Sequence, residues 1–399
     1  MNLSLFRFPP ACFLAPWLAV VACRLAHTEP FHPKDGEQAL EHLRANPLDP
    51  TARELREIRA RLAADPDNLA LATRFVRKCL ERGRAEADPR YLGRAQAALA
   101  PWRGMPRPPV GALVLRATIK QSQHYFTNAL EDLRLAIEMD PGNAQAWLTR
   151  ATVLAVLGHY AEAREACTTL VGLAPELVAA AAVAGVASLN GQAEESCELL
   201  RRALARNPSA GPAEKLWALT ILAETSARLG RMEDSERYFR QAIGLGERDA
   251  YLLGAYADFL LDSGRAKDVL PLLKDETRAD GLLLRLALAE SVVTPRPATF
   301  DAHVATLRAR FEAGHWRGDS VHQREEARFA LHLLHQPQAA LRLAQANWQV
   351  QREPADARIL LESALASKEP AAAQPALAFL DHSHLQDVQL ATLNRGVGR

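Results

Sequence analysis

Small and bulky apolar residues recur along this chain at a spacing close to 34 residues. One recurring position always holds alanine, and another holds leucine, cysteine or phenylalanine. The two series are Ala117, Ala151, Ala184, Ala223, Ala257 and Leu133, Cys167, Leu200, Phe239, Leu273. Successive members of each series are separated by 34, 33, 39 and 34 residues. Self-similarity at such a period predicts a repeat architecture, in which each unit buries its apolar face against the next.

A third recurring position predicts a turn inside each unit. It is occupied by His124, Gly158, Gly191, Gly230 and Gly264. Glycine just after a helix can adopt the left-handed conformation that reverses the chain. Proline residues such as Pro141 and Pro208 follow the second half of a unit and end its helix. Each unit is therefore expected to contain two antiparallel helices.

The clearest unit spans residues 144–177. Its pattern consists of Trp147, Ala151, Gly158, Tyr160, Ala163, Cys167, Leu170 and Pro175. This pattern resembles the tetratricopeptide repeat, a helix–turn–helix of 34 residues. The resemblance is clearest over residues 110–275. It implies an all-α fold, a right-handed α-α superhelix of about seven to nine helical pairs, with the first helices lining a concave groove for peptides or partner proteins.

Fainter helical periodicity flanks these units. Upstream, residues 51–64 predict a helix, and residues 69–80 and 92–99 predict a pair, joined through Gly83 by a connection that residues 84–90 widen. Downstream, the expected helices are 302–311, 325–334, 338–350, 356–366 and 371–380, after a break at 292–297. We divide this part of the chain into a solenoid, 51–290, and degenerate repeats with a cap, 291–399.

The resemblance projects a set of first-helix residues into the groove. They are Val114, Thr118, Gln121, Gln145, Leu148, Thr152, Trp217, Thr220, Glu224, Arg228, Tyr251, Asp258 and Asp262. Chaperone-binding members of the family grip a C-terminal carboxylate with Lys and Asn at such positions. Val114 and Thr118 cannot do so, which argues against a clamp of that type here.

The N-terminus predicts export. An apolar run follows Arg7, and cleavage after Ala22 fits the small-residue rule, so residues 1–22 are expected to be a signal peptide and 23–50 a leader. The stretch 20–23 also resembles a bacterial lipoprotein signal, in which Cys23 would carry the lipid. We therefore expect a bacterial exported protein in the periplasm, either free or attached to the membrane through an N-terminal lipid.

The charge balance excludes one class of partner. Forty-eight basic residues against 47 acidic ones give a net charge of +1, without the basic footprint of a nucleic-acid-binding protein. The chain also lacks a phosphate-binding glycine loop, HExxH, GxSxG and paired CxxC motifs. These observations predict neither an enzyme nor a resident cofactor.

The sequence thus predicts a non-catalytic scaffold or adaptor of the bacterial cell envelope that binds protein or peptide partners. Two alternatives stay open. One is a periplasmic metal-handling protein using histidine clusters, because His332 and His335 would share a helix face near His322. The other is an accessory subunit of an envelope enzyme or secretion complex.

Overall fold

The structure, a computed structural model, describes residues 49–318 and 321–397. These residues form α-helices joined by short turns, with no strand of a sheet among them. The helices are α1 (Pro50–Ala64), α2 (Leu69–Glu86), α3 (Arg90–Ala98), α4 (Val110–Ser122), α5 (Phe126–Met139), α6 (Ala144–Val156), α7 (Tyr160–Leu170), α8 (Glu176–Ala187), α9 (Ala193–Arg206), α10 (Pro212–Arg228), α11 (Met232–Ile243), α12 (Ala250–Asp262), α13 (Ala266–Leu273), α14 (Asp280–Val292), α15 (Phe300–Trp316), α16 (Gln323–His332), α17 (Pro337–Val350), α18 (Pro354–Ala366), α19 (Gln374–Ser383) and α20 (Val388–Val397).

The helices pair and stack in chain order. From α2/α3 to α18/α19 the described residues contain nine pairs, and each first helix packs against its own partner and against the first helix of the next pair. The predicted all-α, right-handed superhelix is confirmed. The predicted signal peptide, the proposed lipidation site Cys23 and most of the leader lie outside the described residues.

The two apolar series form the contacts that the period predicts. All five alanines of the first series are at most 2% exposed, and so are the five bulky residues of the second. A methyl side chain lets the two helices of a pair approach closely, and the bulky residue fills the space left between neighbouring units.

The turns also follow the prediction. Each of the five turn residues has a positive φ, from 60° at His124 to 77° at Gly158. Gly158 is required for a second reason, because a Cβ there would lie 2.6 Å from Cε2 of Phe379 on α19. A residue more than 200 positions away in the chain therefore packs directly against this turn.

Side-chain caps start several helices. The Asn143 carboxamide accepts a hydrogen bond from the Ala146 N–H at the start of α6, and the Asp249 carboxylate accepts one from the Leu252 N–H at the start of α12. Both satisfy backbone donors that have no partner within the helix.

Two local predictions are wrong. The connection after the first helix starts later than expected: α2 continues through Gly83 to Glu86 and ends at Ala87, with φ 48°. Gly83 serves packing instead, since a Cβ there would lie 3.2 Å from Cβ of Tyr91 on α3. The helix expected at 371–380 is divided into a 3₁₀ turn, Pro370–Ala373, and α19.

The last helix, α20, was not predicted. The Asp387 carboxylate caps it by accepting hydrogen bonds from the N–H groups of Gln389 and Leu390.

The alanine series offers a direct test of the packing. Ala223→Leu in α10 should lower the free energy of unfolding by roughly 1–3 kcal/mol, because the site is fully buried and cannot take three more carbons without displacing its neighbours. Urea denaturation would measure this. Ala205→Leu on the exposed face of α9 is the matched control and should change the stability little. Equal effects of the two substitutions would contradict the packing role of the series.

Candidate functional site

The concave side of the superhelix encloses a cavity of about 680 Å³. Its apolar wall comes from the first helices of three pairs, with Thr152 and Ala155 on α6, Gly185 on α8, and Trp217 and Ile221 on α10. Its volume lies within the range of small-molecule and cofactor sites. The remaining walls are charged and come from helices far apart in the sequence.

The curvature of the stack brings the C-terminal segment against the turns between the two helices of the central pairs. The Arg352 N–H donates to the Val156 carbonyl at the end of α6, at 2.8 Å. The Gln386 side chain accepts a hydrogen bond from the Ala193 N–H at the start of α9, at 3.0 Å. The Phe379 ring lies 5.9 Å from the Tyr160 ring. The segment from α18 to α20 therefore covers one edge of the groove.

The other edge is approached by the N-terminal pairs. Arg84 near the end of α2 forms an ion pair with Asp249 at the start of α12, with 3.0 Å between Nε and Oδ2. Arg84 and Ala87 both line the cavity. The groove is thus a chamber narrowed from both edges by the chain itself.

Asp258 and Asp262 of α12 bind arginines of α14, α16 and α18. Asp258 accepts hydrogen bonds from Arg285 at 2.5 Å and from Arg328 at 3.0 Å. Although burial raises the pKa of Asp258, the two guanidinium groups hold it well below its usual value. Asp262 accepts two bonds from Arg358, each of 2.8 Å. Arg358 lies on α18, so this bidentate ion pair joins two helical pairs through residues that are 96 positions apart in the chain.

A second network surrounds Arg324 of α16. Its guanidinium donates to Glu353 at 2.8 Å and to Asp356 at 3.3 Å. Asp356 is 1% exposed and also accepts hydrogen bonds from Asn347 at 2.7 Å and Gln351 at 3.0 Å. This network holds the start of α18 against the end of α17.

Glu224 of α10 is bound differently. Its only hydrogen bond with a described residue comes from the Tyr251 hydroxyl, at 2.8 Å. Burial, together with the nearby carboxylates of Glu353 and Asp258, raises the pKa of Glu224 to about 7 against the opposing effects of Tyr251 and Arg228. Tyr251 is 56% exposed because its ring faces the cavity.

The structure brings seven of the thirteen projected groove residues into the cavity wall. They are Thr152, Trp217, Glu224, Arg228, Tyr251, Asp258 and Asp262. The other six do not line the cavity. Val114 and Thr220 are buried in packing contacts. Thr118 and Gln121 lie on α4, and Gln145 and Leu148 lie near the start of α6. Projection from the repeat missed the C-terminal contribution, above all Arg285, Arg324, Arg328, Glu353, Arg358 and Glu362. A partial signal was present, since Arg324/Arg328 and Arg358/Glu362 are spaced i,i+4 on first helices.

The histidines named as candidates for a metal site in the alternative interpretation do not form a cluster. Helix α16 ends at His332, and His335 follows it with φ 55°, so the two do not share a helix face. His332 lies 3.1 Å from Glu362, and His322 precedes α16. Within residues 49–318 and 321–397, no cluster of three or more His, Cys, Asp or Glu side chains is suited to a metal ion.

No helix in these ranges is long and apolar enough to cross a bilayer.

Comparison with known proteins agrees with the repeat pattern. Residues 133–165 match the family model of the tetratricopeptide repeat. No curated protein matches the chain by sequence.

Several solved structures align with this chain at low sequence identity. The APC/C hetero-tetramer Cut9–Hcn1 aligns with 15% identity and a TM-score of 0.49 over 84% of this chain and 64% of that one, so the chain covers less than two thirds of it. A Rap protein complexed with Competence and Sporulation Factor aligns with 14% identity and a TM-score of 0.45, over 87% and 92% of the two chains. A tetratricopeptide repeat protein of Parabacteroides merdae aligns with 18% identity and a TM-score of 0.35, over 72% and 98%. Identities and scores this low carry no argument about this chain's fold or function.

The raised pKa of Glu224 has a consequence for stability. The folded protein binds a proton at Glu224 up to about pH 7, whereas the unfolded chain releases it near the ordinary value of 4.5. The free energy of unfolding should therefore fall as the pH rises through this interval. The Glu224→Gln variant lacks this titration. Its free energy of unfolding, measured by urea denaturation, should therefore rise relative to that of wild type between pH 5 and pH 8. Glu233→Gln on the exposed face of α11 is the control. If the unfolding free energies of Glu224→Gln and wild type instead change in parallel with pH, Glu224 titrates at its ordinary pKa.

Proposed function

We propose that this chain is a tetratricopeptide-repeat protein that acts as a non-catalytic interaction module, holding a peptide or an extended segment of a protein partner in its central cavity. The observation that carries the proposal is the convergence of seven projected groove residues on one cavity of about 680 Å³. Such a volume takes a few residues of a partner rather than a folded domain.

The composition of the cavity supports a peptide-like occupant. Trp217 and Ile221 offer apolar surface, while Glu224, Arg228 and Tyr251 offer charged and hydrogen-bonding groups on the same wall. An extended peptide presents both kinds of surface along its length. Aromatic and arginine side chains are also the residues that most often dominate binding energy at interfaces.

The cellular setting is a further part of the proposal. We infer from the N-terminal sequence that the protein acts in the bacterial cell envelope, in the periplasm or anchored there through Cys23, as an adaptor or as an accessory subunit of an envelope complex.

Export has its own test. Expression of the full chain in a bacterium, followed by mass measurement of the envelope fraction, should give a protein that begins at Cys23. Additional mass equal to acyl chains would identify the lipoprotein form, and Cys23→Ser should abolish that addition. A protein that retains Met1 in the cytoplasmic fraction would contradict the proposed setting.

Blocking the cavity tests the binding proposal. A Cβ at Gly185 would make only an ordinary contact, 3.6 Å from Cδ1 of Ile221, so Gly185→Leu should fold normally and place its side chain in the cavity. Peptides selected from a random display library on the purified full chain should bind this variant at least tenfold more weakly, measured by fluorescence polarisation.

Gly93→Leu is the matched control, because Gly93 is also helical but exposed, with nothing within 4 Å of its added Cβ. It should bind like the wild type. Selection of no peptide, or equal binding by the two leucine variants, would contradict a ligand site in the cavity.

A further inference from the structure

Two opposite charges that α10 contributes to the cavity wall lack an ionic partner among the described residues. Arg285, Arg324, Arg328 and Arg358 all bind carboxylates of the same wall. Glu224 and Arg228, one turn apart on α10, form no ion pair within 4 Å, with each other or with any other described residue. Glu followed four residues later by Arg is normally a favourable helical pair. Its absence here means that another interaction directs each side chain.

The two side chains are held apart by the helices on either side of α10. Glu224 accepts the hydroxyl hydrogen bond of Tyr251 on α12. Arg228 extends the other way, and its Nη2 donates to the Ser188 hydroxyl at 2.9 Å, just beyond α8. Helix α10 packs against both α8 and α12, so the carboxylate and the guanidinium are drawn to opposite sides of α10.

Arg228 retains unused donor capacity. All its hydrogen bonds to described residues come from Nη2, to Ser188 and to Thr225. Its Nε is buried without an acceptor. Buried as it is, Nε cannot reach a ligand in the cavity, but Nη1 forms no hydrogen bond with a described residue and can donate to one oxygen of a carboxylate. Glu224, with the Tyr251 hydroxyl beside it, is suited to an ammonium group.

The separation of these two groups sets the size of the ligand. Neighbouring helix axes lie about 8–10 Å apart, so side chains directed toward opposite neighbours of α10 place their charges on the order of 10 Å apart. An extended peptide rises about 3.3–3.6 Å per residue, which makes the ends of a tripeptide about 10 Å apart. We propose that the cavity binds a short zwitterionic peptide of about three residues, with its α-ammonium group on Glu224 and its α-carboxylate on Arg228. This inference rests on the proposed peptide-binding function and specifies its ligand.

The charged groups near Glu224 favour this orientation, whereas one near Arg228 opposes it. Glu353 and Asp258 face Glu224, and their negative charges favour a cation there. Asp387, at the start of α20, faces Arg228, and its carboxylate accepts two backbone N–H bonds. The wall also includes Ile221, one turn before Glu224, and Gly185 of α8 beside it, which leave room for side chains without selecting a particular one.

The experiment uses pooled tripeptides, so that no side-chain preference has to be known. Four pools with the same random side chains are compared: free termini, N-acetylated, C-amidated and doubly blocked. Binding to the full chain is measured by equilibrium dialysis with mass spectrometry near pH 7.5, where most α-amino groups remain charged and Glu224 is largely ionised. We expect the free pool to bind at least tenfold more tightly than either singly blocked pool.

Substitutions assign each end. Glu224→Gln should remove the preference for a free ammonium group but keep that for a free carboxylate, and Arg228→Gln should do the reverse. Asp387→Asn keeps an oxygen acceptor for the α20 cap while removing a negative charge, and should tighten binding of peptides with a free carboxylate. Glu233→Gln and Arg202→Gln, both exposed, are the matched controls.

The outcomes separate this inference from the function on which it rests. If longer selected peptides bind in a Gly185-dependent manner but blocking the tripeptide termini changes nothing, the proposed function stands and the zwitterionic ligand is refuted. Preference for free termini that persists in both the Glu224 and Arg228 variants would also refute it. If no peptide of any length binds, both proposals fail.

Discussion

The close approach of paired helices at a buried alanine is the constraint from which the rest of the molecule follows. Ala117, Ala184, Ala223 and Ala257 are fully buried where the two helices of a pair meet, and the left-handed turn of each unit allows the second helix to return along the first. Repetition of this unit gives a small rotation at every step. The rotations accumulate until α2 meets α12 and the C-terminal helices meet the ends of α6 and α12.

Charge pairs then determine how these distant helices meet. Taking ions out of water costs several kcal/mol each, and pairing them roughly offsets that cost. We therefore infer that the Asp258 and Asp262 pairs contribute less to net stability than to orientation, since an arginine from α16 or α18 has only one position that satisfies its aspartate. Apolar contacts alone, such as that of Phe379 with the Gly158 turn, would allow the C-terminal helices to shift along the central pairs more easily than these ion pairs do.

The sequence predicted the parts of this structure that are local. Alanine, bulky and turn positions repeat because every unit solves the same packing problem, so their burial and their positive φ could be predicted before any coordinates. The enclosure of the cavity could not. It depends on the sum of many small rotations, and no spacing within a unit relates Asp262 to Arg358, 96 residues later. The same limit applies inside the groove: Thr220 and Glu224 occupy one face of α10 in projection, yet only Glu224 borders the cavity, because Thr220 is buried against neighbouring helices.

The contact between α18–α20 and the central pairs changes the way in which such a protein responds to damage. In an open solenoid each unit touches only its neighbours, so unfolding can begin at an end and spread, and terminal units can be removed with local effect. Here the last helices touch the Gly158, Gly191 and Gly230 turns as well as α12. Loss of the C-terminal units would strip contacts from four pairs at once. A modular, one-dimensional chain of repeats thereby acquires the cooperativity of a globular domain.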